Sequence, residues 1–264
     1  MTVRSQNLVR ALVALVAWAL LATSVARADA LSTIARVKGS IVAIGTYERT
    51  RTPPFQFLGT GFAVGNGSLV VTNAHVLPPV LDPSGMETVA ILTPAVDRDG
   101  KSQAQMREAR RVAIDPGADL AVLKIDGPPL PGLKLRDSDS VREGQEILMT
   151  GFPVGAVLGP FAATHRGMIS AITPIAIPQA RASELDPATL RRLSTGTFPV
   201  FQLDAVAYPG NSGSPIYDPA TGEVIGIVNM VLVKGTKESA LSTPTGITYA
   251  IPARHLKALL DQVK

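Results

Sequence analysis

The chain has 264 residues and no cysteine, which excludes a disulfide scaffold, a thiolate zinc site and a cysteine nucleophile. It carries 25 Lys plus Arg against 21 Asp plus Glu, but Arg4, Arg10 and Arg27 fall in the first 28 residues, which hold no acid; the remaining 236 residues balance at 22 against 21. A net charge of +1 is no nucleic-acid footprint, and 46% hydrophobic content excludes a disordered chain. The 23 Gly and 21 Pro make about one residue in six, against a background near one in eight. That turn-rich composition suits many short strands better than long helices. The length allows a large core, as one all-β domain or two small ones.

Residues 1–28 read as a secretory leader. Arg4 and Arg10 give a positive start, Ala11–Ala22 is a 12-residue apolar run, and Ala26-Arg27-Ala28 is a small-x-small cleavage site, with Ser24-Val25-Ala26 as the alternative. The run is short of the roughly 20 residues of a membrane span. The expectation is an exported protein, periplasmic or extracellular, with no stable membrane span once the leader is cleaved.

Along the rest of the chain, residues 31–47 predict a short helix feeding a strand at Ser40–Ile44. Gly59–Val64 and Leu69–Thr72 predict a hairpin about the turn Gly65-Asn66-Gly67. Val89–Leu92, Arg111–Ile114 and Leu120–Ile125 complete a first β-rich half near residue 135. A second half follows with strands at Glu146–Thr150, Gly167–Ile172, Phe201–Asp204, Pro215–Tyr217, Val224–Val233 and Gly246–Ala250. Asp186-Pro187 caps a short helix through Leu193. Leu256, Leu259, Leu260 and Val263 give Pro252–Lys264 a helical spacing. Short strands without alternating helices argue against a doubly wound sheet.

Three segments put a reactive side chain at the edge of an apolar strand: Thr72-Asn73-Ala74-His75-Val76, Asp119-Leu120-Ala121-Val122-Leu123, and Gly210-Asn211-Ser212-Gly213. In chain order the reactive residues are His, Asp, Ser. Acyl transfer needs these three types. A serine hydroxyl is a weak nucleophile at neutral pH. A neutral imidazole, with an ordinary pKa of about 6.5, can take its proton as attack proceeds. A carboxylate on the other ring nitrogen fixes the tautomer and stabilises the imidazolium. The developing oxyanion needs donors already aimed at it, and Gly210 and Ser212 can supply two backbone N–H groups from one sharply turned loop.

These residues resemble the trypsin/chymotrypsin-like serine proteases, and within them the HtrA/Deg branch of exported bacterial proteases. Gly59-Thr60-Gly61-Phe62, Gly151-Phe152-Pro153-Val154-Gly155 and Tyr249-Ala250-Ile251-Pro252 add to the likeness, which spans roughly residues 31–262. The resemblance implies an all-β fold of two six-stranded antiparallel Greek-key barrels with a C-terminal helix. The expected division is 29–138 for the N-terminal barrel, 139–251 for the C-terminal barrel and 252–264 for the helix. It implies His75 as general base and then acid, Asp119 as orienting carboxylate, Ser212 as nucleophile, the Gly210 and Ser212 N–H groups as oxyanion hole, and no metal or other cofactor. Alignment to the family puts Val206 at the base of the primary substrate pocket, with Asn229 and Val231 along its wall. Such a pocket would leave a charged substrate side chain unpaired, so small or medium aliphatic residues are expected before the scissile bond, on peptide or unfolded protein substrates. Nucleic acid is not an expected partner; a homo-oligomer is compatible with the sequence.

The sequence also departs from the family pattern. Ser214 stands where a second Gly is usual after the nucleophile. HtrA-type proteins usually continue into PDZ domains, and this sequence ends at Lys264, so a protease domain without PDZ-based substrate capture is expected. Residues 178–198 look longer than their counterpart, as a lid or a contact surface. Asp115 competes with Asp119, but the apolar strand directly after Asp119 favours the latter. His165 and His255 lack matching partners and read as a loop and a helix-surface histidine. Asp97-Arg98-Asp99-Gly100 lacks the remaining ligands of a calcium loop and reads as a turn. Asp137-Ser138-Asp139 reads as solvated loop, and Arg107, Arg110 and Arg111 as a solvated hairpin face. Two rival functions remain. One is a catalytically silent peptide-binding or scaffold protein on this fold. The other is an α/β-hydrolase esterase, which would need Ser before acid before His within Gly-x-Ser-x-Gly.

Overall fold

A computed structural model describes residues 30–81, 86–96, 102–153, 155, 161–174, 198–229 and 247–263. The leader 1–28, the Asp97–Gly100 turn, the Asp186-Pro187 helix with most of the 178–198 segment, and Val231 lie outside the described residues.

Helix α1 (residues 30–38) leads into the first barrel. Its strands are β1 (Ile41–Glu48), β2 (Phe55–Val64), β3 (Leu69–Asn73), β4 (Glu87–Val96), β5 (Ser102–Asp115) and β6 (Leu120–Ile125). They close in the order β1-β2-β3-β6-β5-β4, every neighbouring pair antiparallel. The second barrel is built from β7 (Glu146–Gly151), β8 (Ala163–Pro174), β9 (Pro199–Asp204), β10 (Pro215–Tyr217), β11 (Val224–Val228) and β12 (Ile247–Pro252). It closes as β10-β11-β12-β9-β8-β7. Helix α2 (Ala253–Leu260) follows directly.

β1 shows why the strands read as apolar runs. Val42 and Ile44 face the interior of the first barrel with Val70, Ile91 and Leu123. Ile41 and Ala43, on the other face, join a cluster that spans both barrels and includes Leu148, Tyr217, Ile227 and Leu256. Both faces are therefore buried, and the period-two alternation of a half-solvated strand is lost. Burial of each such Val or Ile contributes about 1.5–3 kcal/mol. The second barrel has its own interior, with Ile147, Met149, Ile169, Phe201 and Leu203. The connection between the barrels is pinned at both ends, Leu133 bridging to Val64 and Leu135 to Val224.

Several strands run longer than the sequence predicts. β5 begins at Ser102 rather than Arg111. Its first half pairs with β4 from Ala90↔Glu108 to Val96↔Ser102, but residues 104–106, 108 and 110 are exposed, so no apolar pattern marks it. β8 begins at Ala163 rather than Gly167; its half-buried Ala163, Thr164 and His165 and exposed Arg166 form no apolar run. Asp137 and Asp139 are exposed, but Ser138 between them is buried. Ser138–Ser140 forms a 3₁₀ turn, and the buried Ser138 hydroxyl accepts the Arg254 N–H at 3.1 Å, capping α2. His165 lies on β8 rather than on a loop. His255 is half-buried, its ring 4.1 Å from that of Phe198, rather than standing on an open helix face. Burial lowers the pKa of both histidines, so the neutral imidazole is the form the fold favours.

Candidate active site

β3 and β6 are neighbours, and their register sets Asn73 opposite Leu120. The residues just beyond, His75 on a 3₁₀ turn (Ala74–Val76) and Asp119 before β6, are thereby brought together. Asp119 has φ +54°, a left-handed conformation that Asp tolerates better than most residues. Its carbonyl accepts the Ala74 N–H at 3.0 Å and the Asn73 amide nitrogen at 3.1 Å. Its carboxylate is 5% exposed as part of the residue and grips the histidine twice. Oδ1 accepts the His75 backbone N–H at 2.9 Å and Oδ2 lies 2.6 Å from Nδ1. An ionised carboxylate only accepts, so the neutral ring carries its proton on Nδ1 and presents the Nε2 lone pair outward. Nε2 is 2.9 Å from the Ser212 Oγ, contributed by the other barrel. The three side chains singled out in the sequence thus form one hydrogen-bonded line with the imidazole in the middle.

Ser212 sits in a tight loop. Asn211 N–H donates to the Tyr208 carbonyl at 2.9 Å, Gly213 N–H to Val228 at 3.0 Å, and Ser214 N–H to Asn211 at 3.0 Å. Gly213 has φ +86°, and a Cβ there would run into the Thr60 carbonyl oxygen and the Thr72 hydroxyl. Only glycine satisfies both the torsion and the space. Gly210 has φ +100°. The N–H groups of Gly210 and Ser212 make no hydrogen bond among the described residues, which leaves two donors from one loop free to meet an anion. Ser214 is fully buried, and its side chain fills the space that a Cβ on Gly151 would need. The hydroxyl at this position is thus packed against Gly151 inside the fold.

The residues expected to line the substrate pocket fare differently. Val206 is half-buried between buried Ala205 and Ala207. Asn229, expected on the pocket wall, turns its amide nitrogen to Asp119 Oδ2 at 2.7 Å and is 1% exposed. Its side chain supports the carboxylate. Val231 lies outside the described residues. Asn229 in this role, and Thr60, whose hydroxyl meets the nucleophile loop, were not singled out from the sequence. The signal available was a polar residue in a small or apolar stretch, at Thr60 within β2 between Gly59 and Gly61 and at Asn229 after Ile227-Val228. Among the described residues no group of three His, Asp or Glu side chains is placed to hold a metal ion.

Residues 59–227 match the trypsin-like peptidase domain family, a span that contains His75, Asp119 and Ser212. The chain belongs to this family. It is 29% identical over 207 residues to a probable periplasmic DegP-like serine endoprotease of Marinomonas sp., which covers 78% of this chain and 35% of that protein. It is 31% identical over 197 residues to a protein of the same description from Pseudomonas putida, covering 74% of this chain and 34% of that one. The chain spans about a third of the length of these relatives. Among solved structures, a variant of the HtrA-type protease AlgW with tripeptide matches at 26% identity and a TM-score of 0.58, over 89% of this chain and 63% of that one. Deg5 shares the fold at 24% identity and a TM-score of 0.59, over 88% of this chain and 92% of that one. A peptidase domain with HtrA-type relatives is thus joined to a cleft in which one barrel supplies His75 and Asp119 and the other supplies Ser212.

Proposed function

We propose that the protein is an exported serine endopeptidase in which Ser212, His75 and Asp119 cleave peptide bonds. The observation that carries this reading is the position of the His75 ring, 2.6 Å from Asp119 Oδ2 and 2.9 Å from Ser212 Oγ. Ser212 Oγ attacks the scissile carbonyl carbon while its proton passes to His75 Nε2. The new oxyanion is held by the N–H groups of Gly210 and Ser212, each such donor worth about 10²–10³ in rate. As the tetrahedral adduct collapses, His75 gives the proton to the leaving amine and an acyl-serine remains. Water then attacks with His75 again as base, the C–O bond to Ser212 breaks, and Oγ recovers its proton. Asp119 stays ionised and stabilises the imidazolium; Asn229 and the His75 backbone N–H hold the carboxylate in place.

The substrates under this reading are peptides or unfolded protein segments with small or medium aliphatic side chains before the scissile bond, received near Val206 and Val231. The protein works outside the cytoplasm: the leader at 1–28 is removed on export, and two relatives are named as periplasmic enzymes. No helix among the described residues is long and apolar enough to cross a membrane. The division into barrels at 29–138 and 139–251 and a helix at 252–264 belongs to the same reading.

A fluorophosphonate probe is expected to label the wild type at Ser212 and to leave Ser212→Ala unlabelled. A wild type that resists the probe at neutral pH returns the protein to the silent peptide-binding class. On a peptide library the expected profile before the cleaved bond is Ala, Val and similar residues; dominance of Lys or Arg there removes the specificity assignment while leaving the chemistry standing.

A further inference from the structure

We propose that Thr60, a residue of the first barrel, is the positioning residue that sets the oxyanion hole carried by the second. The proposal rests on the peptidase reading of Ser212. Thr60 lies on β2, opposite Ala43, and is fully buried. It meets the nucleophile loop twice. Its hydroxyl donates to the Gly210 carbonyl at 2.7 Å, and its backbone N–H donates to the Ser212 carbonyl at 2.9 Å.

The direction of the hydroxyl bond is settled by its third neighbour. Phe152 N–H donates to Thr60 Oγ1 at 3.0 Å, and the Gly210 carbonyl can only accept, so the hydroxyl hydrogen goes to Gly210. Thr60 is itself tied down by the Thr72 hydroxyl, which donates to the Thr60 carbonyl at 2.8 Å.

The consequence for the hole follows from backbone connectivity. The two donors that would face an oxyanion are the N–H groups of Gly210 and Ser212. In each of these residues the N–H is linked to its own carbonyl through only two soft torsions. Gly210, at φ +100°, is the residue least able to hold its torsions unaided. Holding the Gly210 and Ser212 carbonyls through a single buried side chain and its own amide therefore narrows the directions in which both N–H groups can point. A rigid hole is worth most when it is built before the charge appears. Thr60 makes no contact with the reacting atoms in this scheme and acts through the loop.

Thr60→Val keeps the shape and removes the hydroxyl, leaving both the Gly210 carbonyl and the Phe152 N–H facing a methyl group. Folded Thr60→Val is expected to lose about 10- to 10²-fold in kcat, the scale of a small misplacement of a catalytic group, with KM within about twofold. A peptide boronate, which forms a tetrahedral adduct on the serine, should bind weaker by the same factor as kcat/KM falls, while Thr60→Ser, which restores the hydroxyl, should regain most of both. A merely structural role would lower Tm and leave kcat per folded molecule unchanged, and that result overturns the proposal. Amide hydrogen exchange on the wild type keeps the proposal open to refutation even if Thr60→Val does not fold: fast exchange at both Phe152 and Thr60 would mean the two bonds are not held, and overturns it. A wild type that neither takes the fluorophosphonate label nor hydrolyses peptide sinks the peptidase reading itself. An active wild type beside an equally active Thr60→Val sinks only the role given to Thr60.

Discussion

Ser212→Ala is expected to lower kcat on casein or a matched peptide by about 10⁶-fold, His75→Ala by the same order, and the double variant by no more than either alone. Under the proposed reading the three results belong together, because the residues would act as one unit. Without Oγ there is nothing for the imidazole to deprotonate in the acylation step. Without the imidazole, Oγ remains an ordinary alcohol. What survives in all three variants is the pair of N–H groups at positions 210 and 212, which with substrate binding would give a residual rate about 10³–10⁴ above water. The folded state should hardly notice the serine change. Ser212 is 7% exposed, its Oγ meets His75 at 2.9 Å, and the loop is held by main-chain bonds from Gly213, Ser214 and Thr60 that Ala retains. The check is kcat measured beside Tm. A Ser212→Ala protein that keeps a tenth of wild-type hydrolysis, in a preparation free of other proteases, removes Ser212 as nucleophile.

The three side chains that the fold brings into one hydrogen-bonded line stood out because each follows or precedes a strand whose apolar run is unmistakable: Val70-Val71 before His75, Leu120–Leu123 after Asp119, Ile216-Tyr217 after the Ser212 loop. The barrels were legible for a related reason, since their central strands are buried on both faces. The outer strands were read short. The first half of β5 is held by ladder hydrogen bonds while most of its side chains meet solvent, and the start of β8 is paired through half-buried Ala163, Thr164 and His165, which show no apolar run; backbone pairing leaves no trace in composition. The supports of the site were the least legible. Thr60 and Asn229 act at right angles to the chain: one side chain reaches 150 residues ahead to Gly210, the other 110 residues back to Asp119. Nothing in local periodicity encodes such a partner. Ser214 illustrates the converse. As a departure from the family pattern it draws the eye, yet glycine at 151 leaves room for its side chain.

Asp119→Asn is the most discriminating substitution at the site, because the backbone accepts it. Asn, like Asp, tolerates the left-handed φ of +54° at this position, whereas Ala would be strained there. The chain path and the bonds from Ala74 and Asn73 to the residue 119 carbonyl should therefore persist. The carboxamide, however, has one acceptor and one donor end. In Asp119 both oxygens accept: Oδ1 takes the His75 N–H, and Oδ2 takes Nδ1 and the Asn229 amide nitrogen. Whichever way the amide is turned, an NH₂ group must confront an N–H donor. The least costly escape at the ring is for His75 to move its proton from Nδ1 to Nε2 and accept from the amide. That tautomer offers Ser212 a donor instead of a base. The expected result is a loss of about 10⁴ in kcat with KM little changed and the fold intact. Fluorophosphonate labelling of Ser212 should slow in parallel, since it needs the same deprotonation. Hydrolysis by Asp119→Asn within tenfold of wild type would mean that the carboxylate does not set the tautomer, and the acid of the site would have to be sought elsewhere, at Asp115 first.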